Sequence, residues 1–275
     1  MLAKNILITS AVSAFVTCAG FGASANASDL YKGSGSLKDT VEYAPSPIWS
    51  GFYFGIHGGH ANGKWDGITK TTAGNPVNDY SGIDDADQSI DGSGWFGGGQ
   101  LGYNWQRGRF VTGLEADISW TNFEGSGTWT AYEDGVGNAW RKKHDLEMDY
   151  FGTARVRLGY AADAFMPYIT GGLAWAKTSG DLAVTQYNEV SGIAAGTSYA
   201  DVDERHFGWT IGGGIETLLS DRWSLKAEYL YVDLGEKDYR FSGKVFNGAD
   251  FNTDYYPSDL DFHTFRLGLN YKFGN

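Results

Sequence analysis

The chain is nearly free of cysteine, has no long apolar run and carries no surplus of positive charge. Its single cysteine, Cys18, can form no internal disulfide, so an exported form does not depend on such crosslinks. No apolar stretch reaches the roughly 20 residues that a membrane-spanning helix needs. A formal net charge of -12 leaves no basic stripe to neutralise phosphates, which argues against nucleic acid as a partner. Convergent catalytic chemistry is missing too. His57, His60, His144, His206 and His263 are scattered. A His57–Glu115 pair would still lack a nucleophile and oxyanion donors, so the chain reads as a non-enzyme.

What is present is glycine, 40 residues of it, and aromatic side chains at 16%. The mean hydropathy of -0.33 suits a β-barrel, in which only alternate residues meet lipid. The stretch from Gly94 to Trp120 sets the pattern. Trp95, Leu101, Tyr103 and Trp105 share one face, with Gln100, Asn104 and Gln106 opposite. After the tight Arg107-Gly108 connection, Phe110, Leu114, Ala116, Ile118 and Trp120 alternate with Val111, Gly113, Glu115, Asp117 and Ser119. Period-two order of this kind is strand, not helix.

In chain order, residues 1–27 have the form of a signal peptide: Lys4, an apolar Ile6–Phe21 segment, then small residues with cleavage expected after Ala27. Cleavage removes Cys18. Residues 28–48 form a polar leader, expected in the periplasm, and residues 49–275 the barrel. Eight strands of about 12 residues are predicted, beyond the 9–11 that tilted spanning requires. Their connections alternate long and short, the long ones being Lys64–Ser93, Asn122–Lys143, Ser179–Asp203 and Asp233–Asp259. Such alternation has no reason in a soluble sandwich. It belongs to an eight-stranded antiparallel up-and-down transmembrane β-barrel in the outer membrane of a Gram-negative bacterium, with long loops outside and both termini in the periplasm. Closure also removes sheet edges that lipid cannot satisfy.

The predicted inward row holds Glu115, Asp117, Glu147, Asp149, Glu216 and Glu228 against Arg155, Arg157, Lys226, Arg266 and Lys272. An eight-stranded interior barely admits its own side chains, and buried charges persist only when paired. The near balance points to a salt-bridged plug, with a narrow porin for small ions as the alternative. Trp105, Phe110, Phe165 and Trp223 near the short turns, and Trp95, Trp120, Trp175 and Trp209 near the long loops, make two membrane-interface girdles.

Ligand signals are weaker. His144 and His206 near strand tops are the candidates for haem iron, without a spacing motif to support them. Asp79, Asp84, Asp85, Asp87 and Asp91 lack the spacing of a calcium loop, so no metal and no cofactor are expected. Arg141-Lys142-Lys143 is placed to meet lipopolysaccharide phosphates.

The strands resemble a known family. Trp49-Ser50-Gly51-Phe52-Tyr53, Gly97-Gly98-Gly99-Gln100-Leu101-Gly102-Tyr103-Asn104-Trp105-Gln106 and Phe151-Gly152-Thr153-Ala154-Arg155-Val156-Arg157-Leu158-Gly159-Tyr160 carry the likeness. So do Leu225-Lys226-Ala227-Glu228-Tyr229-Leu230-Tyr231 and Phe262–Phe273. They resemble the alphaproteobacterial small outer-membrane β-barrels, the outer-membrane immunogenic and porin-family proteins of Brucella and Bartonella type. That resemblance implies insertion by the outer-membrane assembly machinery through a terminal aromatic. Here Tyr271 and Phe273 fill that place, with Gly274 and Asn275 following. It also implies a surface antigen with a structural or host-contact role, with host-cell surface molecules as partners for the four loops. Haemin binding occurs in some relatives.

Overall fold

The computed structural model describes residues 48–72, 86–132, 138–188, 193–244 and 250–273. The expected signal peptide and nearly all of the leader lie outside these residues. Eight strands follow one another: β1 Gly51–Thr72, β2 Ala86–Arg107, β3 Phe110–Tyr132, β4 Asn138–Tyr160, β5 Phe165–Asn188, β6 Ile193–Leu218, β7 Trp223–Lys244 and β8 Asp250–Phe273. Each pairs antiparallel with its neighbours and β8 closes on β1.

Register fixes the girth. Moving perpendicular to the strands from Gly51, the ladder passes Asn104, Gly113, Arg157, Thr170, Gly212, Leu230 and Thr264 and re-enters β1 at Ala61, a stagger of ten residues. For eight strands, that stagger sets a tilt of about 41° and a backbone radius of about 8 Å. Side chains alone fill a cylinder of that size.

The short connections form as read. Gly108 turns between β2 and β3 at φ 63, and Asp163 between β4 and β5 at φ 54. The other end of the barrel departs from expectation. The strands run for 22 to 26 residues, not about 12, and most of the four stretches expected as loops continue as ladder. Pairing reaches Thr69–Ala86, Tyr132–Ala139, Asn188–Ile193 and Lys244–Asp250. Because the tilted ladder rises roughly 2.5 Å per residue along the axis, only part of each strand faces an apolar surround.

That part is a band on the outer wall. Trp95 and Trp105, Phe110 and Trp120, Tyr150 and Tyr160, and Phe165 and Trp175 each stand ten positions apart on one strand, which sets a height of roughly 25 Å, that of a membrane barrel's apolar belt. Leu101, Leu114, Leu158, Ile169, Leu173, Ile211 and Leu267 stand exposed between the rows. Gly152 leaves room on the outer wall for the Trp175 ring, which lies where its Cβ would be.

Above the band, polarity turns inside out. The outward residues become Lys64, Asp91, Glu124, Lys143, Asp181 and Asp203, while Trp65, Ile90, Phe96, Phe123, Leu146, Met148, Phe151, Leu234, Leu260 and Phe262 are buried inside. A hydrated wall around an apolar core is the arrangement of a water-soluble barrel. It explains why polar stretches that look like loops can hold strand.

Candidate functional site

The inward side chains of the lower half form one network. Glu115 and Asp117 come from β3, Arg155 and Arg157 from β4, Glu216 from β6, Lys226 and Glu228 from β7, and Arg266 from β8; all are buried. Pleating places them, since alternate residues of a strand face the axis. Arg155 stands at the centre. Its Nη2 lies 2.5 Å from Glu115 Oε1 and 3.0 Å from Asp117 Oδ2, and its Nη1 lies 3.0 Å from Glu228 Oε2. Lys226 Nζ donates to both oxygens of Glu115 at 2.9 and 3.0 Å. Arg157 Nη2 donates to Glu216 Oε2 at 2.6 Å, and Arg266 Nε lies 3.1 Å from Glu228 Oε1.

Neutral side chains add further donors to the acids. Tyr53 donates to Glu115 at 2.7 Å and Tyr168 to Glu228 at 2.9 Å. Thr153 donates to Asp117, and Ser224 and Asn270 to Glu216. The Arg157 guanidinium lies 4.1 Å from the centre of the Tyr168 ring, a cation–π contact in a dry setting. Four carboxylates meet four cations, so the group is neutral as a unit. Removal of one member would strand the others, which is where buried ion pairs become costly.

Two residues assigned to the inward row lie elsewhere, and a third, Lys272, keeps the inward parity opposite Tyr53 but stands apart from the network. Glu147 is exposed and Asp149 half-exposed; Asp149 pairs on the outer wall with Lys177 at 2.8 Å. The register shifts between Met148 and Tyr150, and one extra residue there reverses which side chains face in. Leu146 and Met148 consequently point inward, and Arg155 and Arg157 remain inward on the other side of the bulge. Lys272 sits at the rim, donating to the Ile48 carbonyl at 2.5 Å.

Buried side chains also pack below and above this network. Trp49 is 3% exposed and packs against Val111, Ala161, Met166 and Tyr168. Its backbone N–H donates to Gln106 Oε1 at 3.0 Å, which folds the entering chain under the barrel. Above, ring contacts join Phe96 to Phe151 at 5.2 Å, Phe151 to Phe262 at 5.3 Å, and Phe123 to Trp65 at 5.1 Å.

His57 meets Gln100 and Ser119, not Glu115. His144 and His206 are both buried and inward, and Thr178 Oγ1 lies 3.0 Å from His206 Nε2. Arg141 and Lys143 are exposed on β4, Lys143 paired with Asp145 at 2.6 Å. Trp95, Trp105, Phe110, Trp120, Phe165, Trp209 and Trp223 are exposed on the outer wall, and Trp175 is half-exposed there. Phe273 is exposed at the end of β8, with Tyr271 beside it. Asp79, Asp84 and Asp85 lie outside the described residues. Tyr53, Tyr168, Ser224, Asn270 and Trp49 escaped sequence reasoning because hydroxyls, amides and an indole near a strand end carry no charge to count.

The family described as outer membrane protein beta-barrel domain matches residues 14–273. The chain belongs to it. It is 32% identical to the 31 kDa outer-membrane immunogenic protein of Brucella melitensis, over 98% of this chain and all of that one. The 25 kDa outer-membrane immunogenic protein of the same organism is 26% identical over 92% of each chain. A 22 kDa outer membrane protein of Rhizobium leguminosarum is 27% identical over 83% of this chain and 80% of its own. The protein is thus an outer-membrane β-barrel of an alphaproteobacterial family.

Proposed function

We propose that this outer-membrane barrel is a sealed surface protein whose work is structural or host-facing, carried by the wall and connections that rise above the band. The observation that supports this most is the filled lumen: Trp49 at one mouth, eight mutually paired charges in the middle and a buried aromatic cluster beyond. An ion crossing it would have to break salt bridges and part packed rings in succession, each step costing several kcal/mol in a dry interior.

In this reading the short turns and both termini are periplasmic, and the outward aromatics hold the barrel at the two interfaces. Tyr271 and Phe273 present the terminal aromatic signal to the insertion machinery. Arg141 and Lys143 face lipopolysaccharide phosphates, and the outermost connections contact host-cell molecules. Planar-bilayer recording of the refolded protein tests the seal. Silence at moderate voltage is expected; reproducible discrete conductance steps would establish the narrow porin instead.

A further inference from the structure

The upper half of the wall is not one continuous sheet. Pairing between β3, β4, β5 and β6 runs to the outermost described residues. Pairing between β7, β8, β1 and β2 does the same. The two remaining seams behave differently. Among the described residues, β2 and β3 are paired no higher than Gly92–Gly125, although β2 begins at Ala86 and β3 continues to Tyr132. β6 and β7 are paired up to Trp209–Asp233 and then, among the described residues, only at Tyr199–Lys244. These seams are four strands apart in a ring of eight, so they lie on opposite sides. We propose that the upper half is a pair of four-stranded leaves, β3–β6 and β7–β2, that part about the closed lower barrel as their hinge.

Local chemistry accounts for both seams. On β7, Gly235 adopts φ 67, and its N–H donates to Asp233 Oδ1 at 2.9 Å instead of to β6. Register shifts at Asp233/Glu236 and Lys237/Tyr239 then carry β7 along with β8. At the β2–β3 fork, Gly92 and Gly125 have no Cβ because the Trp65 ring lies against both. The wall there is backed by an aromatic ring in place of continued ladder above it.

Above the seams the described ladder joins the leaves at Tyr199–Lys244, and side chains hold them together elsewhere. Trp65 of β1 and Phe123 of β3 pack 5.1 Å apart beside the fork, while the Phe96–Phe151, Phe123–Phe262 and Phe151–Phe262 contacts lie below it, where β2 and β3 are still paired, and brace the hinge. An ion pair, Lys237 Nζ to Glu204 Oε2 at 3.3 Å, crosses the β6–β7 seam. Side-chain packing of this kind yields by rotamer change, whereas a β ladder yields only by breaking hydrogen bonds in series, so opening concentrates at the seams.

Paired spin labels on the mature protein in vesicles test this, with any remaining Cys18 replaced by serine. Labels at Ser89 and Thr128 report across the fork; labels at Thr128 and Lys143, opposite each other in the β3–β4 ladder, report within a leaf. The expected result is a distance distribution across the fork at least about twice as broad as the one within the leaf, broadening further in Phe123→Ala. Glu204→Gln serves as the second variant should Phe123→Ala fail to fold. Equal widths across the fork and within the leaf, in native protein and folded variant alike, would overturn the two-leaf account.

Discussion

The lower and upper halves of this barrel are built from the same eight strands with opposite polarity. Below, Leu114 and Leu158 face outward while Glu115 and Arg157 are buried; above, Glu124 and Lys143 face outward while Phe123 and Leu146 are buried. The surround decides which face is apolar. In hydrocarbon the wall must be greasy and the charges must find one another; in water the charges hydrate and the greasy side chains collapse inward. One continuous ladder serves both because pleating supplies two faces at every level.

The comparison breaks most severely at Arg155. Arg155→Ala leaves Glu115, Asp117 and Glu228 short of their shared cation, and the expected loss is roughly 3–5 kcal/mol, read by urea unfolding from lipid vesicles. A charge placed on the outer wall sharpens the contrast between halves. Leu114→Arg, at the middle of the band, should cost roughly 2–4 kcal/mol in the same assay. Ser126→Arg, outward on the same strand above the band, should change stability by less than about 0.5 kcal/mol. Similar penalties at these two positions would mean that the band has been placed wrongly.

Strand existence, the eightfold count, antiparallel order and the core of the charge network were all legible in the residues. Alternation exposes a strand wherever its two faces meet different surroundings, and acids and bases on one face of a narrow barrel must pair. The upper half was illegible for a specific reason. On β8, apolar residues occupy Phe265, Leu267, Leu269, Tyr271 and Phe273 on the outer face, then switch to Phe262 and Leu260 on the inner one. A half-period slip of this kind resembles the end of a strand, although it marks only the change from lipid to water. β4 hides the change in another way. Its bulge reverses the facing of the side chains where the surround reverses, so Leu146, Met148, Val156 and Leu158 fall on one numerical parity while Leu146 and Met148 point in and Val156 and Leu158 point out. That coincidence is why alternation alone assigns Glu147 and Asp149 to the inner face.

The inversion of polarity is open to direct measurement through tryptophan. Variants retaining only Trp120, on the outer wall at the band's upper edge, or only Trp65, buried in the upper core, would be reconstituted in vesicles of ordinary and brominated lipid. Bromine quenches on contact, so Trp120 should lose most of its emission in brominated lipid while Trp65 keeps nearly all of its own. Quenching of Trp65 as strong as that of Trp120 would place lipid around the upper half and contradict the account.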